Sequence, residues 1–275
     1  MSSTPLSLSR ELPLVAAQPG IWMADQLSPH ANAFAVAHLV ELRGSINAQA
    51  LQAAIVQGLG ELDSLQLKFA EREGELVQWI DDEAATPAPE WLDLRGAADP
   101  EGAARAAIRA DLDGDLRATS GGPLWLNRIY QLGDDHLYWY QRYHHLLIDG
   151  YGFAALAKRV AALYSAAVRG ETPEASPFVS FAEVVREYQD YRQSAVRERD
   201  EAFWRERGAA LPPAASLAPG GLAGQVPTPR VVEARARVPA AVFAGLAEQG
   251  KAQGVTPADL AVALAATWFA RLSGQ

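Results

Sequence analysis

The stretch from Leu137 to Phe153, Leu-Tyr-Trp-Tyr-Gln-Arg-Tyr-His-His-Leu-Leu-Ile-Asp-Gly-Tyr-Gly-Phe, constrains the fold more than any other part of the chain. An aromatic and β-branched run with no Gly or Pro before position 150 predicts a strand over His136 to Leu147, and apolar residues at helical spacing predict a helix over Ala154 to Val168. Two adjacent histidines therefore lie where a strand gives way to a loop and then a helix. Alternation along an extended segment puts His145 on one side with Tyr143 and His144 on the other with Arg142. One histidine can then carry chemistry while its neighbour is structural. A histidine among aromatic residues is usually a hydrogen-bonded core residue. What marks this pair out, in a chain with only 5 His, is the fixed spacing to Asp149 and Gly150 behind it. A metal site is the weaker reading, because His145 and Asp149 would share a face only on a helix and no third ligand is offered nearby.

The stretch resembles the His-His-x-x-x-Asp-Gly signature of the condensation domains of nonribosomal peptide synthetases, relatives of chloramphenicol acetyltransferase. Ala17-Gln18-Pro19-Gly20-Ile21-Trp22 is similar to the family's first motif, Asp63 to Phe69 to its second and Phe178 to Gln189 to its fourth. The resemblance covers most of the chain. It departs at Glu61 and Gln66, where the family usually carries Arg, which leaves Asp149 without its usual ion-pair partner at those positions. It also departs at Gly152, which replaces a Ser or Thr and is compatible with a helix start.

The rest of the chain mixes strands and helices without a repeated unit, which predicts an α/β or α+β layered domain. Helices are expected from Pro19 to Leu27, from Ala48 to Leu59 behind an Asn47 cap, and from Glu101 to about Leu116 behind Asp99-Pro100. Strands are expected over Phe34 to Leu42, Trp91 to Leu94 and Leu124 to Leu132, with a hairpin of Leu65 to Arg72 and Glu75 to Ile80 around Gly74. Asp81 to Pro89 and Arg169 to Pro177 read as loops, and Leu211 to Pro229, rich in Pro, Gly and Ala, as a linker or surface crossing. Phe178 to Arg207 reads as charged helix with Tyr188, Tyr191, Phe203 and Trp204 buried. Arg230 to Val238 reads as a strand, and Ala240 to Gln253 and Thr256 to Leu272 as helices. By resemblance, residues 1–175 form a chloramphenicol acetyltransferase-like N-terminal lobe and residues 176–275 the opening of a second, similar lobe, so the chain is expected to be a fragment of a longer synthetase.

A net charge of −9 disfavours nucleic acid and anionic membrane as partners, because neither attracts an acidic surface. With no Cys there is no disulfide framework, thiolate nucleophile or Cys-ligated zinc, and the absence fits a cytoplasmic protein. Met1 to Arg10 lacks the apolar segment of a signal peptide, and no apolar run is long enough to span a bilayer.

The resemblance implies amide bond formation: an acyl group on one carrier protein moves to the amine of an aminoacyl thioester on another. Both substrates hang from phosphopantetheine arms, so no cofactor or metal is bound directly, and the partners are aryl or peptidyl carrier proteins with downstream adenylation and carrier domains. Pro13 to Ala24, Trp139 to Phe153 and Ser176 to Arg192 are most similar to a serine-activating synthetase of siderophore assembly, which implies a 2,3-dihydroxybenzoyl donor and a seryl acceptor. The chemistry asks little, because a fraction of an α-amine is already neutral near pH 7 and a histidine can take the proton shed as the C–N bond forms. His145 is the candidate for that step, as base or as positioning group. His144 is expected to be structural, Asp149 to hold the loop through a salt bridge, and Gly150 to allow close backbone approach. His30, His38 and His136 carry no spacing signal. Two other readings stay open: an acyltransferase that takes a coenzyme A thioester with no carrier, and a module that only docks carriers. An assay for amide product with both loaded carriers separates them.

Overall fold

The computed structural model describes residues 11–15, 17–72, 74–81, 86–119, 122–212, 215–217 and 236–274. The chain divides into two units, Met1–Arg197 and Glu198–Gln275. The first holds α1 (Gln18–Leu27), β1 (Ala35–Arg43), α2 (Ala48–Gly60), a 3-10 turn (Asp63–Gln66), β2 (Leu67–Arg72) and β3 (Glu75–Ile80). It continues with β4 (Glu90–Asp93), α3 (Pro100–Leu112), β5 (Trp125–Gln131), β6 (His136–His144), α4 (Gly150–Arg169) and α5 (Phe181–Arg192). After α6 (Ala195–Ala209), which crosses the division, the second unit holds α7 (Ala240–Ala252) and α8 (Pro257–Ser273).

Four strands form one sheet in the order β1-β6-β5-β4, antiparallel except for the parallel β4/β5 pair. Tyr140 of β6 stands opposite Leu39 of β1 and Arg128 of β5. β6 is therefore flanked on both edges, and all its residues after His136 are buried. Its side chains alternate between two cores, as the pleat requires. Leu137, Trp139 and Tyr143 join Leu51, Ile55 and Leu59 of α2 and Phe153, Leu156, Val160 and Leu163 of α4. Tyr138 and Tyr140 join Ala104 and Ile108 of α3 on the other face. The sheet is thus sandwiched between helices, and each large apolar side chain buried there contributes about 1.5–3 kcal/mol. Gly58 lets α2 and α4 close up, since a Cβ at that position would sit 2.8 Å from Val160 Cγ2. β2 and β3 pair as a separate hairpin, to which Leu12 is bridged at Gln78.

The caps are where the side chains predict them. Asn47 accepts a hydrogen bond from Ala50 N at 3.0 Å, Asp99 from Gly102 N at 2.9 Å, and Thr256 forms a reciprocal capping box with Asp259. Other expectations shift. α3 stops at Leu112 rather than near Leu116, because Asp113-Gly114-Asp115 is poor helix former and Leu116 N is drawn away to Ala31 O at 3.0 Å. The charged region from Phe178 is two helices, with a break at Gln193-Ser194. Its aromatic residues are not the buried set: Tyr188 is half-buried and Tyr191, Phe203 and Trp204 are exposed, while Val185 is the residue of α5 that is buried. Most of Leu211 to Pro229, most of the strand expected over Arg230 to Val238, and residues 82–85 of the loop after β3 lie outside the described residues.

Candidate active site

β6 ends at His144 with no Gly or Pro to stop it. The His144 ring does so itself: Nδ1 accepts the Leu146 N–H at 3.1 Å while the His144 carbonyl accepts the Leu147 N–H at 3.0 Å, closing a turn. The strand expected to run to Leu147 is shorter for this reason, and the alternation argument that placed His145 beside Tyr143 does not apply to it. His144 does follow the alternation, on the face of Arg142, whose guanidinium donates to Gly114 O at 2.5 Å. His145 opens the turn, its N–H still held by Phe34 O at 2.8 Å. Its ring lines an open, mostly apolar concavity with Gln18, Ile21, Leu62, Ser64, Ile148 and Phe181. Nδ1 is buried and has no hydrogen-bond partner among the described residues. Among the described residues no carboxylate is hydrogen-bonded or ion-paired to this ring.

Asp149 is an exposed N-cap of α4, its Oδ1 accepting the Gly152 N–H at 2.9 Å, and it has no ion pair among the described residues. This corrects the expected salt bridge: with Glu61 and Gln66 at the positions where Arg would stand, the carboxylate turns to the helix that follows it. Asp149→Ala is accordingly expected to lower stability by about 1 kcal/mol, the usual value of a cap, rather than the loss of a buried pair. Urea denaturation of parent and variant measures it; an unchanged midpoint would refute the capping role. Gly150 is the first residue of α4 and has open space where a Cβ would be. Gly152 does not, since a Cβ there would meet Ile148 Cγ1 at 2.4 Å. With Ile148 packed in the core, Gly fits this position better than the Ser or Thr of the family pattern.

Segments far apart in the sequence close around His145. Gln18 Nε2 donates to Gln78 Oε1 at 2.8 Å and to Leu146 O at 3.3 Å, tying α1 and β3 to the turn. Asp63 accepts the Phe181 N–H at 2.9 Å and the Ser180 hydroxyl at 3.1 Å, so it caps α5 and holds Phe181 at the concavity. Sequence spacing did not assign these roles, although Gln18 and Asp63 both stand in stretches that resemble family motifs. Nothing in the spacing pointed to Asp25, whose buried carboxylate lies 3.6 Å from His144 Nε2. Burial holds His144 below the ordinary histidine range, with the opposing pull of Asp25 the next largest influence. Arg159 of α4 grips Glu61 through two hydrogen bonds of 2.6 and 2.8 Å and donates to Glu174 O at 2.9 Å.

Behind the turn, Trp139 Nε1 donates to Asn127 Oδ1, Asn127 Nδ2 to the Tyr143 hydroxyl, and that hydroxyl to Gln141 Oε1, at 2.9, 3.0 and 3.2 Å. Burial pushes the Tyr143 hydroxyl far above its ordinary value, so Tyr143 acts as a neutral hydrogen-bonding group. Among the described residues no three His, Asp or Glu side chains converge as a metal site, and no helix is long and apolar enough to cross a membrane.

Comparisons with known proteins identify the family. A family model described as Condensation domain matches residues 8–275. The chain is 48% identical, over 98% of its length, to enterobactin synthase component F of Escherichia coli O157:H7, and 34% identical, over 74% of its length, to a dimodular nonribosomal peptide synthase of Bacillus subtilis (strain 168). It spans 21% of the first protein and 8% of the second, about a fifth or less of these relatives. The first condensation domain of the calcium-dependent antibiotic synthetase, in complex with substrate analogue 2a, superposes with a TM-score of 0.79 at 26% identity, covering 96% of this chain and 62% of that one. A double mutant of the starter condensation domain of rhizomide synthetase RzmA, in complex with C8-CoA and Leu-SNAC, gives 0.69 at 37% identity, covering 77% and 48%. The layered sheet and helices agree with the chloramphenicol acetyltransferase-like fold of these domains. With the His-His turn at the end of the central strand and a family model matching nearly its whole length, the chain belongs to the condensation domain family of nonribosomal peptide synthetases.

Proposed function

We propose that this chain forms an amide bond between an acyl thioester and the amine of an aminoacyl thioester, each carried on the phosphopantetheine arm of a carrier protein. The likeness to enterobactin synthase component F makes 2,3-dihydroxybenzoyl the first donor and seryl the first acceptor to test. The observation that carries the reading is His145, set by the turn after β6 at the lining of an open concavity. In the reaction the amine nitrogen attacks the thioester carbonyl carbon and sheds a proton to His145 as the C–N bond forms. The C–S bond breaks, and the thiolate takes up that proton. An amine is nucleophile enough that the base need not be sharpened by a carboxylate, which fits a ring with no acidic partner among the described residues. Holding both tethered substrates in line supplies as much of the rate as proton transfer does.

Residues 1–175 are the proposed lobe that bears the motif and residues 176–275 the proposed start of the second. Phe181 belongs to the concavity and precedes the division at Arg197, so the functional boundary need not coincide with either number. The partners are the two carriers, together with adenylation and carrier domains of the same synthetase. The alternatives are separated by one assay on a protein that carries this chain. Amide product is expected with both loaded carriers and not with the coenzyme A thioester and free amino acid. Product from the latter pair would favour the carrier-independent acyltransferase, and binding of carriers without product a docking module.

A further inference from the structure

Asp25 of α1 and His144 of β6 face each other in the interior, each with a side chain only 1% exposed. A carboxylate at that depth is costly unless it is matched. Asp25 Oδ2 accepts the Ala118 N–H at 3.2 Å and Gln26 Nε2 at 3.3 Å, while Oδ1 has no partner among the described residues. On the other side His144 Nε2 also lacks a hydrogen bond, and it lies 3.6 Å from Asp25 Oδ2. His144 Nδ1, in contrast, accepts the Leu146 N–H. A ring nitrogen that accepts carries no proton, so in the neutral ring the proton is on Nε2, the atom turned toward Asp25. Burial favours that neutral ring. A line of groups therefore runs from the Asp25 carboxylate through the two nitrogens of His144 to Leu146 N, the residue after His145.

We propose that Asp25 is a positioning residue for His145: its carboxylate selects the Nε2–H form of His144, and the bare Nδ1 then holds the Leu146 N–H and fixes the turn that presents the His145 ring to the concavity. In the opposite tautomer an Nδ1–H would face the Leu146 N–H, donor to donor, and the turn would lose its hydrogen bond in a buried place. The consequence for catalysis rests on the proposed role of His145, but the tautomer and the turn can be read without any activity.

The test uses the chain labelled with 15N-histidine. Long-range proton–nitrogen spectra report the tautomer of each of the 5 His, and single His→Gln variants assign them. The parent should show His144 as a single Nε2–H form, with slow hydrogen exchange at Leu146 N. Asp25→Leu, branched at the same carbon but larger and unable to accept, should give a mixed His144 signal and speed that exchange by about fivefold or more, the equivalent of one lost hydrogen bond. Asp25→Asn can still turn an oxygen toward Nε2–H and should restore both readings. In the carrier assay Asp25→Leu should lower kcat by about tenfold with KM little changed, and Asp25→Asn should lie much nearer the parent. A folded Asp25→Leu variant that keeps a single Nε2–H form and slow exchange would overturn the proposal, whatever the assay shows. Should that variant fail to fold, Asp25→Ser, too short to reach the ring, is read by the same criteria. If Asp25→Leu alters the spectra as expected while the parent itself makes no amide, the positioning proposal stands and the function proposed for His145 fails.

Discussion

His145→Ala is expected to lower single-turnover amide formation by at least about a hundredfold, the low end for loss of a positioned general base. The measurement belongs in a protein that carries this chain and gives product with both loaded carriers, followed in a single turnover so that product release does not mask the step. The fold should survive. The hydrogen bonds that close the turn come from His144, Leu146 and Leu147, and the bond from residue 145 to Phe34 is made by the backbone, so among the described residues the ring makes no hydrogen bond that the turn depends on. Far-UV circular dichroism and the melting midpoint of the variant should therefore match the parent. His145→Gln separates the two roles left open for the ring. Glutamine can donate and accept hydrogen bonds but cannot take up a proton near neutral pH. If His145 moves a proton, the Gln variant should be nearly as slow as the Ala variant; if it only orients the substrates, Gln should recover much of the rate. Near-parental turnover by His145→Ala would rule out both roles.

The fold was legible where local chemistry decides it. Pro19, Asn47, Asp99 and Pro257 mark helix starts through their own side chains, and the strands around the motif follow from aromatic and branched residues with no breaker among them. The site was legible as a motif but not as a geometry. His145 was identified by its neighbours in sequence, while its surroundings come from Gln18, Leu62 and Phe181, which only the tertiary fold brings near. β6 was drawn too long because the group that ends it is a ring nitrogen, and no propensity for turns is attached to histidine. Asp149 was assigned a salt bridge by likeness to relatives, yet its nearest unsatisfied donors were the free N–H groups of the helix it begins. Asp25 was missed altogether, since a single acidic residue on an amphipathic helix reads as solvent-facing until the packing puts it inside.

The largest stability effect is expected where this chain departs from the family pattern, at Glu61. Glu61 caps the C-terminal end of α2, Arg159 stands on α4, and the side chains are 18% and 5% exposed. Their two hydrogen bonds join the helices that cover one face of the sheet, and the Arg159 bond to Glu174 O adds the chain beyond α4. Arg159→Met keeps most of the length and volume but leaves Glu61 unmatched, which should cost about 3 kcal/mol, the low end for breaking a buried pair. At the size of the first unit that corresponds to a fall in Tm of about 10 °C. Acid should erase the difference. Hydrogen bonds from Arg159 hold the Glu61 carboxyl down at about 2, against its ordinary 4.5, so the folded protein keeps Glu61 ionised where the unfolded chain has protonated it. The stabilisation is complete above the unfolded value and is lost as pH falls from about 4.5 toward 2. Urea denaturation of parent and Arg159→Met from pH 7 to pH 3 should show the gap between midpoints constant down to about pH 5 and shrinking below it. Glu61→Gln combined with Arg159→Met should cost less than the two single changes added together, because each single change strands the other partner. A gap that stays constant with pH, or strictly additive costs, would show that Arg159 stabilises through its packing and its bond to Glu174 rather than through Glu61.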